Sequence, residues 1–202
     1  MARFKTGVNR REALQTLAAG AVGAASMPRW VESLRAQALA AAHAHDADAA
    51  IAAQSWTPVV LTALQNEAVV ALTELIIPAT DTPGAKAALV NRFVDRVLSN
   101  APAAERAQFL QGLTWLDDRC RTRFAKGVAG ATTADLTALV TPLADEGTHP
   151  AQDATGVAFF HALKSMTISG YYTTEIGLRQ ELGDDGRMVL PAFEGCNHPE
   201  HQ

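Results

Sequence analysis

The sequence predicts an all-α fold, and three observations carry that expectation. Apolar residues recur at three- and four-residue spacing along most of the chain, and no alternating run is long enough for a useful strand. Alanine is abundant and β-branched runs are few, which favours helix. Threonine, proline and glycine signals stand where the periodic segments start and stop. A compact bundle of about five to six helices with an irregular C-terminal tail is the economical architecture. At 48% hydrophobic, the 202 residues can build a core, and with aromatics at 6% that core is mainly Leu, Val and Ala. A formal charge of −4 and a pI near 5.8 argue against a nucleic-acid partner, which would require a basic face.

The chain divides into residues 1–26, an Ala-rich linker at 27–56, and a helical domain at 57–202. The start carries Arg3, Lys5, Arg10 and Arg11 with no acid before Glu12, then a weakly apolar run from Ala13 to Ser26. That run is too short to span a bilayer. A basic start, a short apolar run and small residues near its end describe an export signal. The paired Arg10-Arg11, with Leu14 three residues on, resembles a twin-arginine signal, and the interruptions at Gln15, Thr16, Gly20 and Gly23 suit that route. Ala24-Ala25-Ser26 and Ala36-Gln37-Ala38 are both small enough for cleavage. Export places the protein in the periplasm and exposes Cys120 and Cys196 to an oxidising compartment. They are expected to pair with each other, pair with a partner's cysteine, or stay free. Residues 30–53 read as a tether or loosely held helix outside the core, with His43 and His45 as exposed bystanders.

Within the domain, Thr62 and Gln65 form a capping box for a first helix with Leu64, Ala68, Leu72 and Leu75 on one face, stopped by Pro78. "ATDTPGA" is a turn. A second helix is expected from Ala85 to Leu98, with Leu89, Phe93 and Val97 as its stripe. Ala101-Pro102 restarts the chain into a third helix reaching Lys126, with Phe109, Leu113, Leu116, Cys120 and Phe124 inward and Gly127 as its cap. Thr133 caps a fourth, faced by Leu136, Leu139, Val140 and Leu143, and "DEGTHP" breaks it. A fifth runs from Thr155 to Ser169, carrying Val157, Phe160, Leu163 and Lys164, and Gly170 ends it. A short helix capped by Thr173 or Thr174 reaches Leu182, and "GDDG" is a turn.

Several chemistries find no motif. There is no G-x-G-x-x-G, no C-x-x-C and no G-x-S-x-G. The only Glu-x-x-His spacing, Glu146 to His149, is broken by Gly147 and followed by Pro150, so it is a loop and not half of a di-iron site. Asp117-Asp118 and Asp184-Asp185 read as solvated surface, and His161 as a packed or partly exposed histidine. Cys196, His198 and His201 are metal-ligand types, but they lie in the last residues of the chain, where order is usually lost. No catalytic, cofactor-binding or metal residue is therefore assigned. The only two tyrosines, Tyr171 and Tyr172, are adjacent in "SGYYTTEIG". A Gly170 break followed by a capped turn would aim both rings away from the bundle axis as interface anchors; the competing reading is that they cover the bundle's end.

"LTALQNEAVVALTELIIPATDTPGA", "RFVDRVL", "FLQGLTWLDDRCRTRF", "FFHALKSMTISGYYTTEIG" and a final "FEGC" together resemble the gluconate 2-dehydrogenase subunit 3 family over roughly residues 57–197. The strongest motifs are Ile76-Ile77-Pro78-Ala79 running to Pro83-Gly84-Ala85, and Gly170 to Gly177. The resemblance implies a non-catalytic small subunit with no cofactor of its own. It implies escort of a signal-less, FAD-dependent flavoprotein of the glucose-methanol-choline type through the twin-arginine translocon, and continued binding to it. That partner would carry FAD, in some complexes with an iron–sulfur cluster, and a membrane-anchored cytochrome c subunit would carry haem. The implied substrates are sugars or polyols. On this reading Tyr171, Tyr172, Thr173, Thr174, Glu175, Gly177 and Cys196 face the partner. Cys196 would bond to the partner, or alternatively to Cys120, closing a loop of about 75 residues and adding roughly 4 kcal/mol. The competing function is a free-standing periplasmic helical enzyme or metal-binding bundle.

Overall fold

The computed structural model describes residues 27–42, 56–145 and 149–186. Those residues form six α-helices: α1 Arg29–Ala42, α2 Ala63–Ile76, α3 Val90–Asn100, α4 Ala103–Phe124, α5 Thr133–Ala144 and α6 Ala154–Tyr171. Two 3₁₀ turns, Val128–Gly130 and Ala151–Asp153, lie between them, and a π-helical segment, Ile176–Glu181, follows α6. The fold is all-α, as expected, and no strand occurs among the described residues. Arg10, Arg11, His43, His45, Glu146, Cys196, His198 and His201 lie outside those residues.

α6 is the axis of the bundle and packs against all five other helices. It can do so because it is apolar nearly all round, with Phe159, Leu163, Met166 and Tyr171 fully buried. Gly170 does not end this helix, as its type suggests. It lies inside it, where an added Cβ would come within 2.8 Å of the Phe93 ring on α3. The glycine is there for close approach. Phe159 meets Phe109 of α4 at 4.9 Å between ring centres.

The largest correction concerns the Ala-rich segment. Residues 29–42 are not a tether: Val31, Leu34 and Ala38 of α1 are buried in the core, and α6 is their main neighbour. These three positions are spaced by three and four residues, one face of a helix. Alanines on the other faces dilute that stripe in the sequence. Gln37 Nε2 also donates to Glu105 Oε2 of α4 at 2.9 Å, anchoring α1 at its polar edge.

α2 starts at the expected capping box: Thr62 Oγ1 accepts from the Gln65 N–H, and Gln65 Oε1 accepts from the Thr62 N–H. Its inward face is Ala68, Val69, Leu72 and Thr73, whereas Leu64 is 55% exposed. The segment leading into α2 is held from a distance. Asp95 on α3 is buried, and its carboxylate accepts from the N–H groups of Val59 (2.7 Å), Val60 (3.0 Å) and Leu61 (2.9 Å).

α3 begins five residues later than expected. Leu89 takes a left-handed conformation (φ 56°) as its N-cap and is 46% exposed, so the stripe is Val90, Phe93, Val94, Val97 and Leu98. α4 buries Phe109, Leu113, Leu116 and Cys120 as expected, with Phe124 half-buried. Its left-handed cap is Ala125 (φ 57°), not Gly127. Gly127 instead makes room beside Asp117, whose Oδ1 accepts from the Val128 N–H at 2.7 Å. Asp117 is thus a loop anchor, paired with Arg121 at 2.8 Å, while Asp118 is exposed.

α5 buries the four residues expected of it, but its cap is Thr132, one residue earlier, in a reciprocal box with Asp135. Pro142 sits inside α5. Having no N–H, it leaves the Ala138 carbonyl without its helical donor. Arg123 of α4 supplies one, Nη1 to the carbonyl oxygen at 3.1 Å.

Candidate functional site

The two strongest sequence motifs, ninety residues apart, form one structural unit at the C-terminal end of α6. α2 ends at Ile76, and the chain turns through residues 77–86 before α3. Glu74, in the last turn of α2, closes this loop onto the helix. Its Oε1 accepts from the Ala79 N–H at 3.0 Å and its Oε2 from the Lys86 N–H at 2.7 Å. The Ala85 N–H also donates to the Ile77 carbonyl at 2.9 Å. Gly84 is required here because a Cβ would fall within 2.6 Å of both Glu74 oxygens.

The second motif locks onto the outside of this loop. Tyr171 is fully buried. Its ring runs into the core, which corrects the expectation that both tyrosines point away from the bundle axis. Its hydroxyl donates to the Pro83 carbonyl at 2.8 Å, with Glu181 Oε2 3.4 Å away. Thr82 Oγ1 donates to the same Glu181 oxygen. Burial pushes the Tyr171 phenol above its usual pKa; Thr82 works against the shift and the Glu181 carboxylate adds to it. The ring packs edge-on to Tyr172, 5.2 Å between centres, and Tyr172 is half-buried.

The threonines that follow terminate the helix. Thr173 Oγ1 donates to the Ser169 carbonyl at 2.9 Å. Thr174 Oγ1 donates to the Tyr171 carbonyl at 2.7 Å and accepts from the Gly177 N–H at 3.1 Å. That second bond is the cap expected of Thr174, but the segment it opens is π-helical, not α-helical. Gly177 is buried, and a Cβ there would strike the Tyr171 carbonyl oxygen at 2.3 Å. Glu175 is exposed. Of the residues expected to face a partner, Tyr171 and Gly177 are therefore interior, Tyr172, Thr173 and Thr174 are half-buried, and Glu175 is open.

On the other side of the same loop lies a groove of about 730 Å³ between α2 and the start of α5. Val70, Leu75, Pro78 and Leu136 give it an apolar wall, and Glu67 and Lys86 stand on its lining. The sequence reading did not find Glu74, Thr82, Glu181 or this groove. One signal was available: Glu74 is an acid in the last turn of a helix, where the dipole disfavours negative charge, so a compensating set of donors was to be expected.

Cys120 of α4 is a free thiol, fully buried in the core. Burial raises its pKa, and the nearby Asp117 and Asp135 carboxylates add to that. Among the described residues, no group of three or more His, Cys, Asp or Glu side chains is placed to hold a metal ion. No helix among them is long and apolar enough to cross a membrane.

The family model described as gluconate 2-dehydrogenase subunit 3 matches residues 63–184, which takes in both motifs, the groove and α2 to α6. Comparison with curated proteins and with solved structures returns no match.

Proposed function

The chain belongs to the gluconate 2-dehydrogenase subunit 3 family, a component of a dehydrogenase complex, and from that premise we propose that it is the non-catalytic small subunit. It escorts a signal-less FAD-dependent flavoprotein of the glucose-methanol-choline type through the twin-arginine translocon. It then remains bound in the periplasm, where a cytochrome c subunit takes the electrons to the membrane. The substrate of the complex is a sugar or polyol.

The observation that carries this reading is the family match over residues 63–184, from α2 through α6. Two features support the finer parts. Arg10-Arg11 ahead of a short, weakly apolar run supports twin-arginine export. Of the two cleavage sites, Ala24-Ala25-Ser26 leaves α1 whole, whereas cutting at Ala36-Gln37-Ala38 would remove Val31 and Leu34 from the core. The partner-facing surface is centred on Tyr172, Thr173, Thr174 and Glu175, with Tyr171 fixing them from beneath. Cys196, beyond the described residues, is the cysteine for a bond to the partner, because Cys120 is buried.

The test is co-purification of a tagged chain from its native host. A yellow, flavin-containing partner should accompany it, and Arg10→Lys with Arg11→Lys should leave both proteins in the cytoplasm. Export of the partner despite that double change rejects the escort role. Dye reduction by the isolated chain rejects the non-catalytic role. Tyr172→Ala should weaken partner binding by about 2 kcal/mol if the ring is an anchor.

A further inference from the structure

The loop at 77–86 has two faces, and each is held by a different carboxylate. On the inner face Glu74 grips the N–H groups of Ala79 and Lys86, and Pro78, Ala79 and Lys86 line the groove. On the outer face Thr82 and Pro83 bind Glu181 and Tyr171. Glu181 is the last residue of the π-helical segment. π-Helical geometry is rare and persists only where the surroundings impose it. Here they do so from both ends: Gly177 is wedged against the Tyr171 carbonyl, and Glu181 is tied across 99 positions of sequence to Thr82.

We propose that the 77–86 loop and the 176–181 segment form one cooperative clasp, closed by Thr82 and Glu181, which couples the α2–α5 groove wall to the turn at 182–184. The clasp opens as a unit while the helical core stays closed, in the manner of a local folding unit. Opening it from the Glu181 side frees Pro78, Ala79 and Lys86 to shift, so the groove changes shape. Displacing Lys86 or Ala79 from Glu74 loosens Thr82, and the π-helical turn loses the tie that fixes its register. The device is independent of the subunit role proposed above.

Amide hydrogen exchange on the full-length chain tests the coupling site by site. The groove reporters are the Ala79 and Lys86 amides, bound to Glu74. The turn reporters are the Leu182 amide, bound to the Gly177 carbonyl, and the Asp184 amide, bound to the Leu178 carbonyl. Thr82→Val removes the hydroxyl and keeps the shape. It should speed exchange at all four amides by about tenfold, the factor expected from one lost hydrogen bond to a charged group, and leave α4 amides unchanged. Thr82→Ser, which keeps the hydroxyl, should exchange at wild-type rates. Glu74→Gln, made on the opposite face, should speed the Leu182 and Asp184 amides too. The proposal is overturned if either variant accelerates only its own side, if neither accelerates any reporter, if α4 amides accelerate equally, or if Thr82→Ser behaves as Thr82→Val.

Discussion

Asp95 and Glu74 use the same chemistry in opposite settings. Each is a helical carboxylate that accepts backbone N–H groups from a loop. Asp95 reaches from α3 to a segment more than thirty residues earlier, and both the carboxylate and Leu61 at the inner end of that segment are buried. Glu74 holds the exit of its own helix and remains half-exposed. Water can replace Glu74 at its two donors and cannot replace Asp95 at the buried Leu61 N–H. A buried donor left unpaired costs its full desolvation, whereas an exposed one costs little. Asp95 is thus a determinant of whether the bundle folds, and Glu74 a determinant of where one loop sits.

That contrast gives an order of effects. Asp95→Ala should lose about 3 kcal/mol in urea unfolding, because it strands the buried Leu61 N–H and also releases the partly buried Val59 and Val60 N–H groups. Glu74→Ala should lose only about 1 to 2 kcal/mol. Equal losses would break the comparison and place Glu74 among the fold determinants. Tyr171→Phe should cost about 1 kcal/mol, the worth of one neutral hydrogen bond to Pro83. Its pH dependence sharpens the point. The folded-state pKa of Tyr171 is raised above the ordinary value of 10.0. The folded state therefore holds the phenolic proton more tightly than the unfolded state. The stability linked to it is fully present below pH 10 and is lost as pH rises through 10 toward the folded value. Unfolding curves of the wild type should decline in that alkaline window, and those of Tyr171→Phe should decline less. The smallest effect belongs to Cys120. Its buried, protonated thiol should resist iodoacetamide at neutral pH and react only as fast as the chain unfolds.

Where a short local signal decides the structure, the sequence was readable. The Thr62–Gln65 box needs only four residues, and the α5 face and the buried stripe of α4 follow helical spacing closely. Where tertiary contact decides, it was not. α1 looks like a tether because it runs straight into an Ala-rich stretch and one of its three buried positions is itself alanine, and contact with α6 above all makes them core. Gly170 reads as a helix end until Phe93 is seen against it. Tyr171 reads as surface because its partner, the Pro83 carbonyl, lies 88 positions away. Leu89 and Ala125 adopt left-handed geometry that their side chains disfavour, so the start of α3 falls five residues past the expected one and the cap of α4 is not its nearby glycine. The motifs were found correctly, but their contact with one another was not, because nothing local in either one names the other.

The proline inside α5 leaves a further mark. Pro142 creates a vacancy at the Ala138 carbonyl, and Arg123 answers it. Each residue therefore has a value that depends on the other. With Pro142 in place, removing Arg123 takes its α4 donor from the Ala138 carbonyl and leaves that exposed oxygen to water. Once Pro142→Ala restores a helical donor, the same loss of Arg123 becomes nearly silent. The pair should show a coupling of about 0.5 to 1 kcal/mol in a double-mutant cycle. A lineage that lost the proline first would be free to lose the arginine next, while the reverse order would pass through a less stable intermediate. One missing N–H thus makes the order of two mutations matter.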